Sequence, residues 1–240
     1  MTLLADLGNT RVKMAVRDKD SFSEIYCGPA VLDDMRKAVD GLAVQGGMWC
    51  SVHTPDKEIE DWFRSMGLAP LLWNTPMPLG NAYSTPQTLG MDRMAAAVGA
   101  WSQKKGHNLL IIDAGTAITV DLVTEDGVYQ GGNIAPGVEM RLKALHEFTG
   151  SLPLVPAHGD TPWLGYDTCT AIRSGVLNGV KKELDGYIRE ARLRYGSVLV
   201  FLTGGDAESF DLIDKSAIFV ARNLVIRGLS CIMDYNESKI

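Results

Sequence analysis

The chain has 240 residues, 46% of them hydrophobic, with a formal net charge of −6. That is ordinary globular composition with enough apolar residues for sizeable cores, and the length suits one large domain or two small ones. With no basic run, bulk nucleic-acid binding is excluded on electrostatic grounds, and no apolar run approaches the roughly 20 residues of a membrane span. The N-terminus has no basic leader, and Asp6 interrupts its only apolar start. Cys27, Cys50, Cys169 and Cys231 are scattered, with no Cys-x-x-Cys pair and no histidines at ligand spacing. They read as reduced, mostly buried thiols of a soluble cytoplasmic protein.

In chain order, Leu3-Leu4-Ala5-Asp6-Leu7-Gly8-Asn9-Thr10 is an apolar strand that delivers a carboxylate to a glycine turn, and a second strand leads away. Val12, Met14 and Val16 share one face of that second strand. Lys13 lies on the other face, where it either reaches the turn or meets solvent. Phe22 to Tyr26 reads as a third strand. Val31 to Val44 spaces Leu32, Met35, Val39 and Leu42 as a helix. Gly47 to Val52 is a buried strand. Pro55 opens a helix whose Ile59, Trp62, Phe63 and Met66 form an apolar core stripe, closed by Gly67. This succession makes an α/β lobe.

Residues 74–89, rich in Pro, Asn and Gly and carrying Tyr83, form a long loop of the kind that is often functional. Gly90-Met91-Asp92-Arg93 then feeds a small-residue helix, Met94 to Ala100, suited to close packing. Leu109 to Ile112 repeats the opening grammar, running into Asp113-Ala114-Gly115-Thr116, and an alternating strand leaves the turn. Val128 to Gln130 is a short strand, and Gly131 to Gly137 reads as a further turn. A helix from Val138 to Phe148 turns Leu142 and Leu145 inward, and Leu152 to Pro162 is irregular. Thr168 to Arg194 is one long helix on which Gly175 and Gly179 leave a flat strip for a neighbouring helix. Ser197 to Leu202 is a buried strand ending in Thr203-Gly204-Gly205-Asp206, a glycine turn at the strand end where α/β sheets bind ligands. A helix from about Val220 to Met233 follows.

Asp6 and Asp113 lie 107 positions apart, an internal repeat on the scale of half the chain. Glycine lets a backbone approach a ligand closely. Successive N–H groups in such a turn, with Asn9, Thr10 and Thr116 beside them, form a concavity for phosphate oxygens. The carboxylate can hold a cation. Two such hairpins facing each other are expected to grip a polyphosphate. There is no Gly-x-x-x-x-Gly-Lys-[Ser/Thr], no Gly-x-Gly-x-x-Gly and no Gly-x-Ser-x-Gly, so P-loop, dinucleotide and hydrolase-elbow readings fall away. Carboxylates at element ends, glycine turns and a Tyr-bearing loop suit phosphoryl transfer, which needs positioning, charge neutralisation and a late proton acceptor. Asp92 is the candidate base. The residues alone equally allow Asp92 to cap its helix and pair with Arg93.

Taken together, Asp6-Leu7-Gly8-Asn9-Thr10, Gly90-Met91-Asp92-Arg93, Asp113-Ala114-Gly115-Thr116-Ala117, Gly131-Gly132-x-Ile134-x-Pro136-Gly137 and Thr203-Gly204-Gly205 resemble the type III pantothenate kinase family, in its order and spacing. The resemblance implies an α/β fold of two ribonuclease-H-like lobes, of the acetate-and-sugar-kinase, Hsp70 and actin superfamily, here residues 1–107 and 108–240. It implies ATP-dependent phosphorylation of pantothenate to 4′-phosphopantothenate, the first step of coenzyme A synthesis, with Mg²⁺ and a monovalent cation, K⁺ or NH₄⁺. By position, Asp6, Leu7, Gly8, Asn9, Thr10, Arg11, Val12 and Lys13 match the first phosphate loop, and Thr116 matches an ATP contact. Asp92 matches the proton acceptor and Asp113 the monovalent-cation ligand. Gly90, Met91, Asp92, Arg93 and Tyr83 match substrate contacts, with Arg93 on the pantothenate carboxylate. Thr168 matches a substrate contact from a neighbouring subunit, which implies a homodimer. Gly165-Tyr166-Asp167-Thr168 has Tyr-Asp where the family often has Lys-Asn or Arg-Asn, and Lys13 is not shared by all members. The alternative reading is a catalytically silent accessory regulatory factor of the same fold.

Overall fold

The computed structural model describes residues 1–19, 21–210 and 218–238. The chain divides into two compact units. The first comprises Met1–Gly106, Val123–Gly131 and Asn223–Ile240, and the second His107–Leu122 and Gly132–Arg222.

In the first unit, β1 (Thr2–Leu7), β2 (Val12–Asp18), β3 (Ser21–Gly28), β4 (Gly47–Ser51) and β5 (Leu68–Pro70) form a sheet of order β3-β2-β1-β4-β5. β1, β2 and β3 are antiparallel neighbours, and β4 and β5 run parallel to β1. Strand alternation assigns the faces. Leu3, Ala5 and Leu7 of β1 join Val12, Met14 and Val16 of β2 in one core, closed by α1 (Leu32–Val39) and α2 (Lys57–Ser65) through Met35, Val39, Ile59 and Phe63. Leu4 and Asp6 take the opposite face. That face is covered by α6 (Leu224–Glu237), and α3 (Met91–Gln103) packs against α6 and β4.

The small-residue run of α3 has its explanation in this contact. A Cβ on Gly99 would overlap the Leu224 carbonyl, and one on Gly228 would overlap the Ala95 carbonyl. Backbone lies on backbone there. Arg17 of β2 ties the far end of α6 down, donating to Ser230 Oγ at 2.6 Å and to Asp234 Oδ1 at 2.7 Å.

The second unit is built on β7 (Asn108–Ala114), β8 (Ala117–Val123), β10 (Val198–Thr203) and β11 (Ile218–Val220). They belong to a sheet of order β11-β10-β7-β8-β9-β6, in which β9 is Val128–Pro136 and β6 is Gly80–Asn81. β10 runs parallel to both β7 and β11. Leu110, Ile112, Val200 and Leu202 share a core with Leu142 of α4 (Val138–Glu147) and with Ile172, Val176, Val180, Leu184 and Ile188 of α5 (Thr168–Tyr195). Those α5 residues recur every four positions, the apolar stripe of a helix on a sheet. Arg141 and Glu183 pair at 2.7 Å and lock α4 to α5.

Several expectations change. α1 stops at Val39 instead of reaching Val44, because the chain turns at Asp40–Gly41, although Leu42 still packs on the core. The 74–89 loop contains β6, parallel to the start of β9, and a 3-10 turn at Pro86–Thr88. Gly131 to Pro136 is not a turn: β9 continues through it. The glycine there has a different use, since a Cβ on Gly131 would come within 3.3 Å of the Tyr83 ring. The final helix begins at Leu224, because Val220 ends β11. Cys27 and Cys169 are exposed, against the expectation of mostly buried thiols, and all four cysteines are free.

Candidate active site

In the first unit the opening turn closes by a hydrogen bond from the Gly8 N–H to the Arg11 carbonyl at 3.0 Å. Leu7 and Val12 are buried and anchor its two ends, while Asn9, Thr10 and Arg11 project from it, exposed. Asp6 stands opposite Lys13 in the β1–β2 register, so their side chains share a face beside the turn. Strand pairing therefore puts Lys13 at the turn.

On its other side Asp6 stands opposite Cys50 of β4. The Cys50 thiol donates to Asp6 Oδ1 at 3.7 Å. Burial, followed by the charges of Asp6 and Asp92, pushes this thiol well above its ordinary value, so it stays protonated. In the sequence Cys50 is only one of four scattered thiols. The signal that singles it out is register: alternation along β4 sends Trp49 into the core and Cys50 to the face of Asp6.

Asp92 is the second residue of α3, whose N-cap is Gly90. Its carboxylate folds back over that glycine: a Cβ on Gly90 would lie 2.5 Å from Asp92 Oδ1. Arg93 turns inward and is only 6% exposed, and Met91 is half-buried. A guanidinium removed from water to that degree is held by partners or held for an anion. Tyr83 packs against Tyr129 with ring centroids 6.2 Å apart, its backbone N–H bonded to Asn81 Oδ1 at 2.9 Å. Lys13 and Cys50 thus flank Asp6 on one face of the sheet, and the charge of Asp92 acts on Cys50 from the start of α3, with Arg93 next along that helix.

In the second unit three glycines, Gly115, Gly137 and Gly204, converge. The Gly115 N–H donates to the Ala117 carbonyl at 3.1 Å, closing the turn after Asp113. The Gly137 N–H donates to the Thr116 carbonyl at 3.0 Å, and any side chain on Gly137 would run into the carbonyls of Gly115 and Thr116. Gly204, at φ +97°, lies against Ala114, and a Cβ there would come 2.5 Å from Asp113 Oδ1. The Asp206 N–H donates to the Ala114 carbonyl at 2.9 Å. The Asp113 carboxylate is therefore fixed between Gly115 and Gly204, and Thr116 is exposed at the tip. A cavity of about 340 Å³ adjoins this assembly, lined in part by Val138, Leu177, Asn178, Lys181 and Asp206. Among the described residues no group of three or more His, Cys, Asp or Glu could hold a metal ion.

Thr168 opens α5 and is exposed. Asp167 caps it, accepting from the Thr170 N–H at 2.7 Å, and the bonds from Thr170 hold the Asp167 carboxyl below the usual range. Nearby in sequence, Phe148, Leu154, Trp163, Leu164 and Tyr166 are all exposed. No helix among the described residues is long and apolar enough to cross a membrane.

A model of the type III pantothenate kinase family matches residues 2–190. The type III pantothenate kinase of Bacteroides fragilis (strain ATCC 25285) is 46% identical over 244 residues, covering 100% of both chains. Among solved structures, a protein assigned to the Baf family of transcriptional activators from Campylobacter jejuni superposes with a TM-score of 0.63 at 21% identity, over 98% of this chain and 99% of that one. A protein assigned as a 2-dehydro-3-deoxygalactonokinase from Sinorhizobium meliloti gives a TM-score of 0.53 at 12% identity, over 98% and 99%. At such identities the structural likenesses speak to fold alone. The shared fold is α/β, built here on two sheets.

Proposed function

The chain belongs to the type III pantothenate kinase family, and on that premise we propose that it transfers the γ-phosphoryl group of ATP to the 4′-hydroxyl of pantothenate. The products are 4′-phosphopantothenate, ADP and a proton, at the entry to coenzyme A synthesis. The observation that carries the reading is Asp6 flanked by Lys13 and Cys50 on one sheet face, with the charge of Asp92 acting on Cys50 and Arg93 buried next to Asp92 in α3.

Each residue has a chemical task. Asp92 takes the proton of the acceptor hydroxyl. A helix N-terminus lowers the basicity of a carboxylate, but a loose transition state releases its proton late, so a weak base suffices. Arg93, with Gly90, Met91 and Tyr83, binds pantothenate, the guanidinium pairing with its carboxylate. Asp6 to Lys13 and Thr116 serve the phosphates through backbone N–H groups, hydroxyls and the lysine charge. The cavity beside Asp206 suits the nucleoside. Asp113, held between two glycines, presents the oxygen donor that a K⁺ or NH₄⁺ ion takes. Mg²⁺, arriving with ATP, supplies charge neutralisation on the polyphosphate.

We also infer a homodimer. The exposed residues Trp163, Leu164, Tyr166 and Phe148 support it, as does the open strip at Gly175 and Gly179, where an added Cβ would meet nothing within 4 Å. In that assembly Thr168 reaches pantothenate from the neighbouring subunit. Light scattering that gives a monomer mass at assay concentration would remove this part.

A coupled assay with pantothenate, ATP, Mg²⁺ and K⁺ tests the whole. Potassium-stimulated formation of 4′-phosphopantothenate is expected. A folded chain that forms none would leave the accessory-factor reading in its place.

A further inference from the structure

Cys50 sits among the carboxylates of the site, yet the reaction as written gives it no task. It is the fourth residue of β4 and 1% exposed. Because β4 alternates, its side chain leaves the Trp49 core for the face covered by α3 and α6. It stands beside Asp6 in the parallel register, and its Sγ donates to Asp6 Oδ1 at 3.7 Å. Asp92, at the start of α3, is near enough for its charge to act on the thiol. Two strands far apart in sequence therefore bring one neutral donor against Asp6, within reach of the charge of Asp92.

We propose that Cys50 is a positioning residue for Asp6: its S–H fixes the carboxylate at the root of the phosphate turn without adding charge beside it. This rests on the reading above, in which Asp6 serves the nucleotide phosphates. The chemistry suits a thiol. A third acid at this point would be repelled by two carboxylates, and an apolar side chain would leave Oδ1 without this donor. A basic residue would add a second positive charge beside Asp6, across from Lys13, and weaken what the carboxylate offers the ligand.

The test uses the full chain in four forms: wild type, Cys50→Val, Asp6→Asn and the double variant, with Cys50→Ser as the rescue. Valine is close to cysteine in size and donates nothing. Cys50→Val is expected to lower kcat/KM for ATP about tenfold, the scale of one weak hydrogen bond to a charged acceptor, with KM for pantothenate unchanged. Cys50→Ser should recover most of the loss, since its hydroxyl still donates. In the Asp6→Asn background, Cys50→Val should add nothing, because the group it orients has already gone.

Thermal melts establish that each form is folded. Cys50→Ala takes the place of Cys50→Val should the latter fail to fold. Wild-type constants in the apolar variant would overturn the proposal. So would a loss that multiplies with that of Asp6→Asn, or an equal loss toward both substrates. A wild-type chain that makes no 4′-phosphopantothenate defeats the functional reading instead. The increase in melting temperature produced by ATP, read on the same four proteins, still reports the coupling of Cys50 to Asp6 in that event.

Discussion

Adding one methyl group at Gly90 separates activity from stability. The backbone of Gly90 lies at φ −58° and ψ 127°, a region that alanine adopts freely. Losing a glycine also narrows the unfolded ensemble, which stabilises a compatible site by about 0.4–1 kcal/mol. The new Cβ, however, lies 2.5 Å from Asp92 Oδ1, where ordinary contact begins at 3.4 Å. The carboxylate is the mobile end of a side chain, so it yields, by about 1 Å. A displacement of that size at a reacting centre costs about 100-fold in rate. Gly90→Ala should therefore melt at or slightly above the wild-type temperature and turn over pantothenate about 100-fold more slowly. Asp92→Asn, which keeps the shape and removes the basicity, should fall by about 100-fold or more at unchanged stability, in the range of general-base contributions. The assay is steady-state kcat beside a thermal melt of the same sample. A Gly90→Ala enzyme with wild-type kcat would show that the carboxylate has no demanding position to lose, and would refute Asp92 as the proton acceptor.

Other substitutions report on the frame around the site. Gly204→Ala places a side chain at φ +97° against Ala114 and Asp113, and should cost about 3 kcal/mol of stability from backbone strain and crowding; denaturant midpoints would measure it. Gly228→Ala drives a methyl into the Ala95 carbonyl between α6 and α3, where no side chain can move aside. A loss of about 3 kcal/mol is expected there, and a wild-type melting temperature would count against the close helix contact. The Cys50 thiol, raised by burial and by its acidic neighbours, contributes stability that is complete below 9.0, its ordinary value. Above that pH the unfolded chain releases the proton while the folded one keeps it, so this contribution falls as pH rises toward the raised folded value. Cys50→Ser should flatten that alkaline decline. An unaltered decline would contradict the burial of a protonated thiol.

Much of the candidate site is legible without coordinates because its signals are local. A carboxylate behind an apolar strand, a glycine turn after it and a helix start at Asp92 are each encoded within about ten residues. Backbone dihedral preference and strand alternation act at that range. The small-residue run of α3 announced close packing but not its partner, since nothing near residue 95 points to Gly228. The same locality explains the misreading of Gly131 to Gly137. Glycine signals a tight turn and an irregular strand alike, and only the approach of the Tyr83 ring to Gly131 separates the two.

The amino-acid order alone therefore determined which groups stand at strand ends and helix starts as candidates for chemistry: Asp6, Asp92 and Asp113, the three glycine turns, and the helices that bury their stripes. Tertiary structure alone decided which of these groups become neighbours. It set Lys13 and Cys50 on either side of Asp6, and fixed Asp113 between Gly115 and Gly204. It also returned α6 to pack on α3, with Gly228 lying on Ala95. The reason is one of range. Dihedral preference is set within a few residues, whereas strand register and helix contact are set by burying faces that lie tens to hundreds of positions apart.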